Sequence, residues 1–115
     1  IRLPEYVTAP LAERLDRMCA LHVKEAEDGE SLVRGTIYIA PGGRCMTVAA
    51  AESGRTVRIT GERWRRKEEH PVDELFMSAA EAAGKDCTAV LLGGAGSDGE
   101  RGMKAVREAG GRVRN

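Results

Sequence analysis

Apolar residues recur along this chain in two rhythms, one suited to helices and one to strands, and glycines or polar clusters mark each change between them. Residues 4–19 open in the helical rhythm: Val7, Leu11, Leu15 and Met18 fall on one stripe while Glu13, Arg14, Asp16 and Arg17 face away. The spacing predicts a helix over 8–18, with Thr8 as its cap ahead of Pro10. At 21–26 the pattern shortens to a strand, and Glu27-Asp28-Gly29-Glu30 reads as a polar turn. A second strand is expected over 36–40, stopped by Pro41-Gly42-Gly43. The β-rich runs 45–50 and 56–60, joined by Glu52-Ser53-Gly54-Arg55, carry a hairpin signal. Residues 62–69 have no apolar period and are expected to be an exposed loop. Pro71 then starts a helix over 72–83 in which Val72, Leu75, Phe76, Ala79 and Ala83 share a face and Gly84 is the stop.

The run Cys87-Thr88-Ala89-Val90-Leu91-Leu92 does not alternate, which predicts a strand buried on both faces. Glycines follow it, a short helix is expected over 103–109, Gly110-Gly111 closes that helix, and another strand begins near Val113. The order of elements predicts an α/β fold: a mostly parallel sheet flanked by helices, with an antiparallel β-hairpin set into it. No internal repeat appears.

Composition narrows the function classes. A chain of 115 residues, 42% hydrophobic and with no formal net charge, suits one domain of modest core and calls for neither nucleic acid nor membrane insertion. No apolar run approaches the roughly 18 residues of a membrane span and no signal-peptide pattern is present, so a cytoplasmic location is expected. Cys19, Cys45 and Cys87 are odd in number and far apart, which points away from a disulfide framework and from a zinc site; no metal or cofactor is expected. The chain starts at Ile1 without a methionine and stops at Asn115 as a strand begins, so residues 1–115 read as one partial domain cut at both ends. Strands that should flank 87–92 would then lie elsewhere, and self-association through exposed sheet edges is expected.

The chemistry gathers in the loop after the 87–92 strand. Asp98 is the only acid between Cys87 and Glu100, set among small residues at a strand-to-helix edge where ligands collect in open sheets. Gly94-Ala95-Gly96-Ser97-Asp98-Gly99 matches G-x-G-x-x-G, but a carboxylate inside the loop would repel a pyrophosphate, and the acid expected about 20 residues later would fall beyond Asn115. A plain glycine turn with Ser97 or Asp98 capping a helix is the simpler account. Arg63-Trp64-Arg65-Arg66-Lys67 could stack a base, but Glu68 and Glu69 follow at once, so a solvated loop fits better. His22 and His70 carry no partner visible in sequence; His70, before a helix start, is the one substitute for a missing base. Ser31, Ser53, Ser78 and Ser97 lack a G-x-S-x-G elbow, and no base partner is visible for Cys45.

The motifs from Val23 to Glu30, Tyr38-Ile39-Ala40-Pro41-Gly42, Val72-Asp73-Glu74-Leu75-Phe76 and the glycine loop followed by Gly102-Met103 occur in an order and spacing that resembles the CheB-type chemoreceptor methylesterase domain across the whole chain. The resemblance implies an enzyme that hydrolyses glutamate methyl esters on bacterial chemoreceptors, releasing methanol, by means of a serine, a histidine and an aspartate. It assigns the acid to Asp98, with Gly94, Ala95, Gly96, Ser97 and Gly99 as the loop around it. Physically this fits, because a carboxylate at a strand's end can fix an imidazole's tautomer. The departures are specific. The family serine precedes the start of this chain, and Arg2 occupies the place of the family histidine; an arginine cannot act as a base. Cys45 stands where the family's Pro-Gly-Asp-Arg-His-Met turn has histidine, and Ala95 replaces a loop methionine. The expectation is a methylesterase domain that is inactive as this chain alone, with a non-catalytic scaffold or a dinucleotide-binding module as the alternatives.

Overall fold

A computed structural model describes residues 4, 6–60, 70–92 and 97–114. The expected loop at 62–69 with its basic run, and Arg2, Gly94, Ala95 and Gly96, lie outside the described residues.

The first helix, α1 (Thr8–Met18), forms where the rhythm placed it, but a different face is buried. Thr8 and Ala12 are enclosed, whereas Val7 and Met18, counted in the expected stripe, are exposed. The reason is polar. The Thr8 hydroxyl donates to Glu25 Oε2 and accepts the Gly42 N–H at 2.9 Å, which draws that edge of the helix inward. Thr8 is therefore a tertiary tie and not the cap expected of it; Val7 is the capping residue and makes no side-chain cap bond.

Strand β1 (His22–Glu25) pairs in parallel with β2 (Thr36–Ile39), Val23 opposite Ile37. The hairpin is β3 (Cys45–Ala51) and β4 (Gly54–Thr60), Val48 opposite Val57. Its turn is only Glu52-Ser53, tighter than expected, because Gly54 at φ 144° and Arg55 continue the strand. The connection between β1 and β2 lies along β4: Gly29 N–H donates to Val57 O at 2.8 Å and Val57 N–H to Glu30 O at 2.9 Å. Val57 is consequently sealed at 1% exposure.

Helix α2 (Pro71–Ala83) packs on β3 along one side and on α3 (Glu100–Glu108) along the other. Ser78 fixes the hairpin side, its hydroxyl oxygen accepting the Val48 N–H at 3.0 Å. Gly84, at φ 55°, ends α2 in a conformation that side chains resist, and a 3-10 turn (Gly84–Asp86) follows. Helix α3 starts three residues before the expected 103, since Gly102, which spoils helix propensity, is kept inside its first turn for packing.

Strand β5 (Thr88–Val90) pairs in parallel with β6 (Arg112–Arg114). The expectation of burial on both faces is corrected here. Cys87 and Ala89 point into the core, while Val90 and Leu92 are exposed, because among the described residues one face of β5 is covered and only β6 is bonded to it. That core consists of Ala80, Cys87, Ala89 and Val106, with Phe76, Ala79, Ala83, Ala105, Ala109 and Val113 packed around it. Such small side chains allow α2 and α3 to approach closely and fix where their amino ends meet. No helix among the described residues is long and apolar enough to cross a membrane.

Candidate functional site

Two helices begin at the same place, and neither caps itself. The capping residue of α2 is His70 and that of α3 is Gly99 at φ 111°; neither makes a side-chain cap bond. Each helix is capped by an aspartate belonging to the other. Asp98, in the loop before α3, accepts the Val72 N–H at 3.1 Å through Oδ2 and the Asp73 N–H at 2.9 Å through Oδ1. Asp73, in the first turn of α2, accepts the Gly99 N–H at 2.9 Å and the Gly102 N–H at 2.8 Å, both through Oδ1. One carboxylate thus serves both amides that a capping box would satisfy with two side chains.

The exchange fixes the geometry of the acid-bearing loop. Charged hydrogen bonds of this kind contribute about 1.5–3 kcal/mol each, and an anion at a helix amino end gains further from the aligned peptide dipoles. Two carboxylates side by side would repel; two helix amino ends offset that repulsion. The simpler sequence reading, that Ser97 or Asp98 caps a helix, holds for Asp98, and the helix it caps is α2.

His70 joins the pair. Its Nδ1 lies 3.8 Å from Asp73 Oδ2 and 3.9 Å from Asp98 Oδ1. His70, Asp73 and Asp98 thus offer ligand atoms within 4.8 Å of one another, a spacing a metal ion could bridge. The donor set fits a cation poorly, because Asp98 engages helix amides through both oxygens and Asp73 through one, and two helix amino ends point their positive poles at the cluster. The same occupancy counts against the dinucleotide reading, since a pyrophosphate at the start of α3 would have to displace Asp73.

Of the residues singled out in sequence, the described structure brings His70 to Asp98. Gly99 is buried and forms the start of α3, and Ser97 is exposed with its carbonyl accepting the Glu100 N–H at 3.2 Å. The remaining loop residues Gly94, Ala95 and Gly96 fall outside the described part. His22 is remote in role: its Nδ1 meets Asp16 Oδ1 at 2.9 Å on the surface. Ser78 donates to Leu75 O at 2.9 Å and is structural. Cys45, for which sequence showed no partner, donates its thiol to Glu74 Oε2 at 2.7 Å, Glu74 lying one helical turn beyond His70. Burial pushes the Cys87 thiol pKa up, which keeps it protonated and inert.

Asp73 was missed as a site residue, although its signal was present. It falls three residues before Phe76 and seven before Ala80, on the face α2 buries, and an acid on a buried face needs partners.

A family model described as CheB methylesterase matches residues 1–114. The chain is 45% identical over 108 residues to protein-glutamate methylesterase/protein-glutamine glutaminase 3 of Burkholderia thailandensis, covering 94% of this chain and 30% of that protein. To the protein-glutamate methylesterase/protein-glutamine glutaminase of Escherichia coli K12 it is 40% identical over 108 residues, covering 94% and 31%. The crystal structure of the Thermotoga maritima CheB methylesterase catalytic domain superposes with a TM-score of 0.83 at 37% identity, over 97% of this chain and 59% of that one. The chain therefore spans about a third of the length of the curated relatives it matches.

Proposed function

Because this chain belongs to the CheB methylesterase family, we propose that it forms the acid-bearing part of a cytoplasmic protein-glutamate methylesterase whose substrates are methylated glutamates of chemoreceptors. The single observation that carries the reading is Asp98, held by two helix amides at 2.9 and 3.1 Å at a loop between a parallel strand and a helix. A carboxylate fixed in this way can orient an imidazole and balance its charge when it becomes protonated.

In ester hydrolysis of this class, a hydroxyl oxygen attacks the ester carbonyl while a base takes its proton. The proton then passes to the methoxy oxygen, the carbonyl carbon–oxygen bond breaks, and methanol leaves. Asp98 keeps the base in register throughout. The same acyl chemistry on a glutamine side chain would release ammonia, as the second half of the relatives' names indicates. The nucleophile is expected outside these residues, so the 115-residue chain alone should be inactive. With Val90 and Leu92 uncovered beside β5, it should also self-associate in isolation.

The test is release of volatile label from chemoreceptor carrying labelled methyl esters. The full-length protein should release methanol and the isolated chain none. A full-length protein that releases nothing would favour the scaffold reading, and release by the isolated chain would place the whole site within it.

A further inference from the structure

We propose that His70 supplies the imidazole that Asp98 orients, standing in for the family histidine whose place is taken by Arg2. This inference rests on the methylesterase reading and names the base for that same site.

The argument begins with the buried edge of the ring. His70 Nδ1 is shut off from solvent and, among the described residues, has no hydrogen-bond partner. What faces it are two carboxylate oxygens, Asp73 Oδ2 at 3.8 Å and Asp98 Oδ1 at 3.9 Å. An ionised carboxylate only accepts, so a lone pair on Nδ1 would be held against two negative charges. The proton therefore belongs on Nδ1, and in the neutral ring Nε2 carries the free lone pair.

Exposure completes the arrangement. The His70 side chain is 40% exposed and none of that lies at Nδ1, so the accessible part is the remainder of the side chain. A ring with its protonated nitrogen turned to a fixed carboxylate and its lone pair on Nε2, away from that carboxylate, has the polarity of a general base. The backbone holds it there: His70 immediately precedes Pro71, and its carbonyl accepts the Glu74 N–H at 3.1 Å. Closing the 3.9 Å to Asp98 Oδ1 to hydrogen-bond length takes about 1 Å of ring movement, and such contacts are commonly long in unliganded sites.

In that role Nε2 takes the proton of the attacking hydroxyl as its oxygen bonds to the ester carbonyl carbon. It returns the proton to the methoxy oxygen as that oxygen leaves, so neutral methanol departs and the ring ends neutral. The charges of Asp98 and Asp73 offset the imidazolium in between. Hydrolysis of the resulting acyl group repeats the sequence with water.

The test uses the full-length protein and labelled methylated receptor. His70→Gln and His70→Ala should each lower kcat for methanol release by about 100-fold or more, with KM within a few-fold and the melting temperature nearly unchanged for His70→Gln. Restoring the family residue with Arg2→His in the His70→Gln background should recover activity. Nitrogen-15 NMR should find His70 protonated at Nδ1, with the signal moved by Asp98→Asn. An active parent whose His70 variants stay within a few-fold of it overturns this inference and leaves the methylesterase reading standing. So does a His70 ring protonated at Nε2. A parent that releases no methanol overturns the methylesterase reading, and His70 as its base falls with it.

Discussion

Replacing Gly102 by alanine sets two effects of opposite sign against each other, and the structure decides between them. On helix propensity alone the change should stabilise by about 1 kcal/mol, since Gly102 lies within α3. A β-carbon there would sit 2.5 Å from Phe76 Cβ and 3.2 Å from Asp73 Cα. Neither atom can swing aside, because both are fixed to the backbone of α2. Restoring ordinary carbon contact of about 3.5 Å requires α3 to retreat by roughly 1 Å. The Gly102 N–H would then lie well beyond its present 2.8 Å from Asp73 Oδ1, outside hydrogen-bond range. Overpacking costs about 1–3 kcal/mol and the charged hydrogen bond about 1.5–3, so after the propensity gain of about 1 the net loss should be about 1.5–5 kcal/mol. Urea unfolding of the full-length protein followed by circular dichroism at 222 nm measures it, with methanol release falling in parallel as the Asp98 loop shifts. A Gly102→Ala protein as stable as the parent, or more so, would refute the close approach of α2 and α3 on which the site depends.

Two further outcomes follow from the same geometry. Asp73→Ala removes the acceptor of the Gly99 and Gly102 amides and should destabilise by about 2–5 kcal/mol, read from the urea midpoint; Asp73→Asn, which keeps one oxygen, should recover part of that. Thiol alkylation at pH 8 should modify exposed Cys19 quickly and leave Cys87 untouched until the protein unfolds, because burial holds the Cys87 thiol protonated. Its raised pKa leaves the linked stability fully present at neutral pH; it starts to fall as pH passes the ordinary thiol range, where the unfolded thiol ionises, and is lost as pH rises through the higher folded-state value.

Much of the fold was legible because local signals agreed with tertiary demands. Pro71 and Gly84 bracket α2, Gly110 and Gly111 close α3, and the alternating runs around Glu52-Ser53 form the hairpin. The expectations that failed did so where a distant partner overrides a local pattern. Thr8 looks like a cap and instead ties Glu25 to Gly42. The apolar run from Cys87 to Leu92 looks enclosed, yet burial of both faces depends on cover that sequence periodicity cannot count. At the site, Asp98 was visible as an isolated acid in a glycine loop, but the helix it caps lies 25 residues earlier in sequence, which no local motif encodes. Asp73 was hidden because an acid three residues into a helix is ordinary on a solvated face. Only its register with Phe76 and Ala80 marks it as buried.

The central claim is that Asp98 is the carboxylate of an ester-hydrolysing site as well as a helix cap. The most direct measurement is kcat for methanol release from methylated chemoreceptor by the full-length protein carrying Asp98→Asn, at a temperature where melting curves show it folded. Asparagine keeps the size and one accepting oxygen but cannot stabilise an imidazolium, so kcat should fall by about 10⁴-fold. A folded Asp98→Asn protein with kcat within tenfold of the parent would leave Asp98 a cap and nothing more.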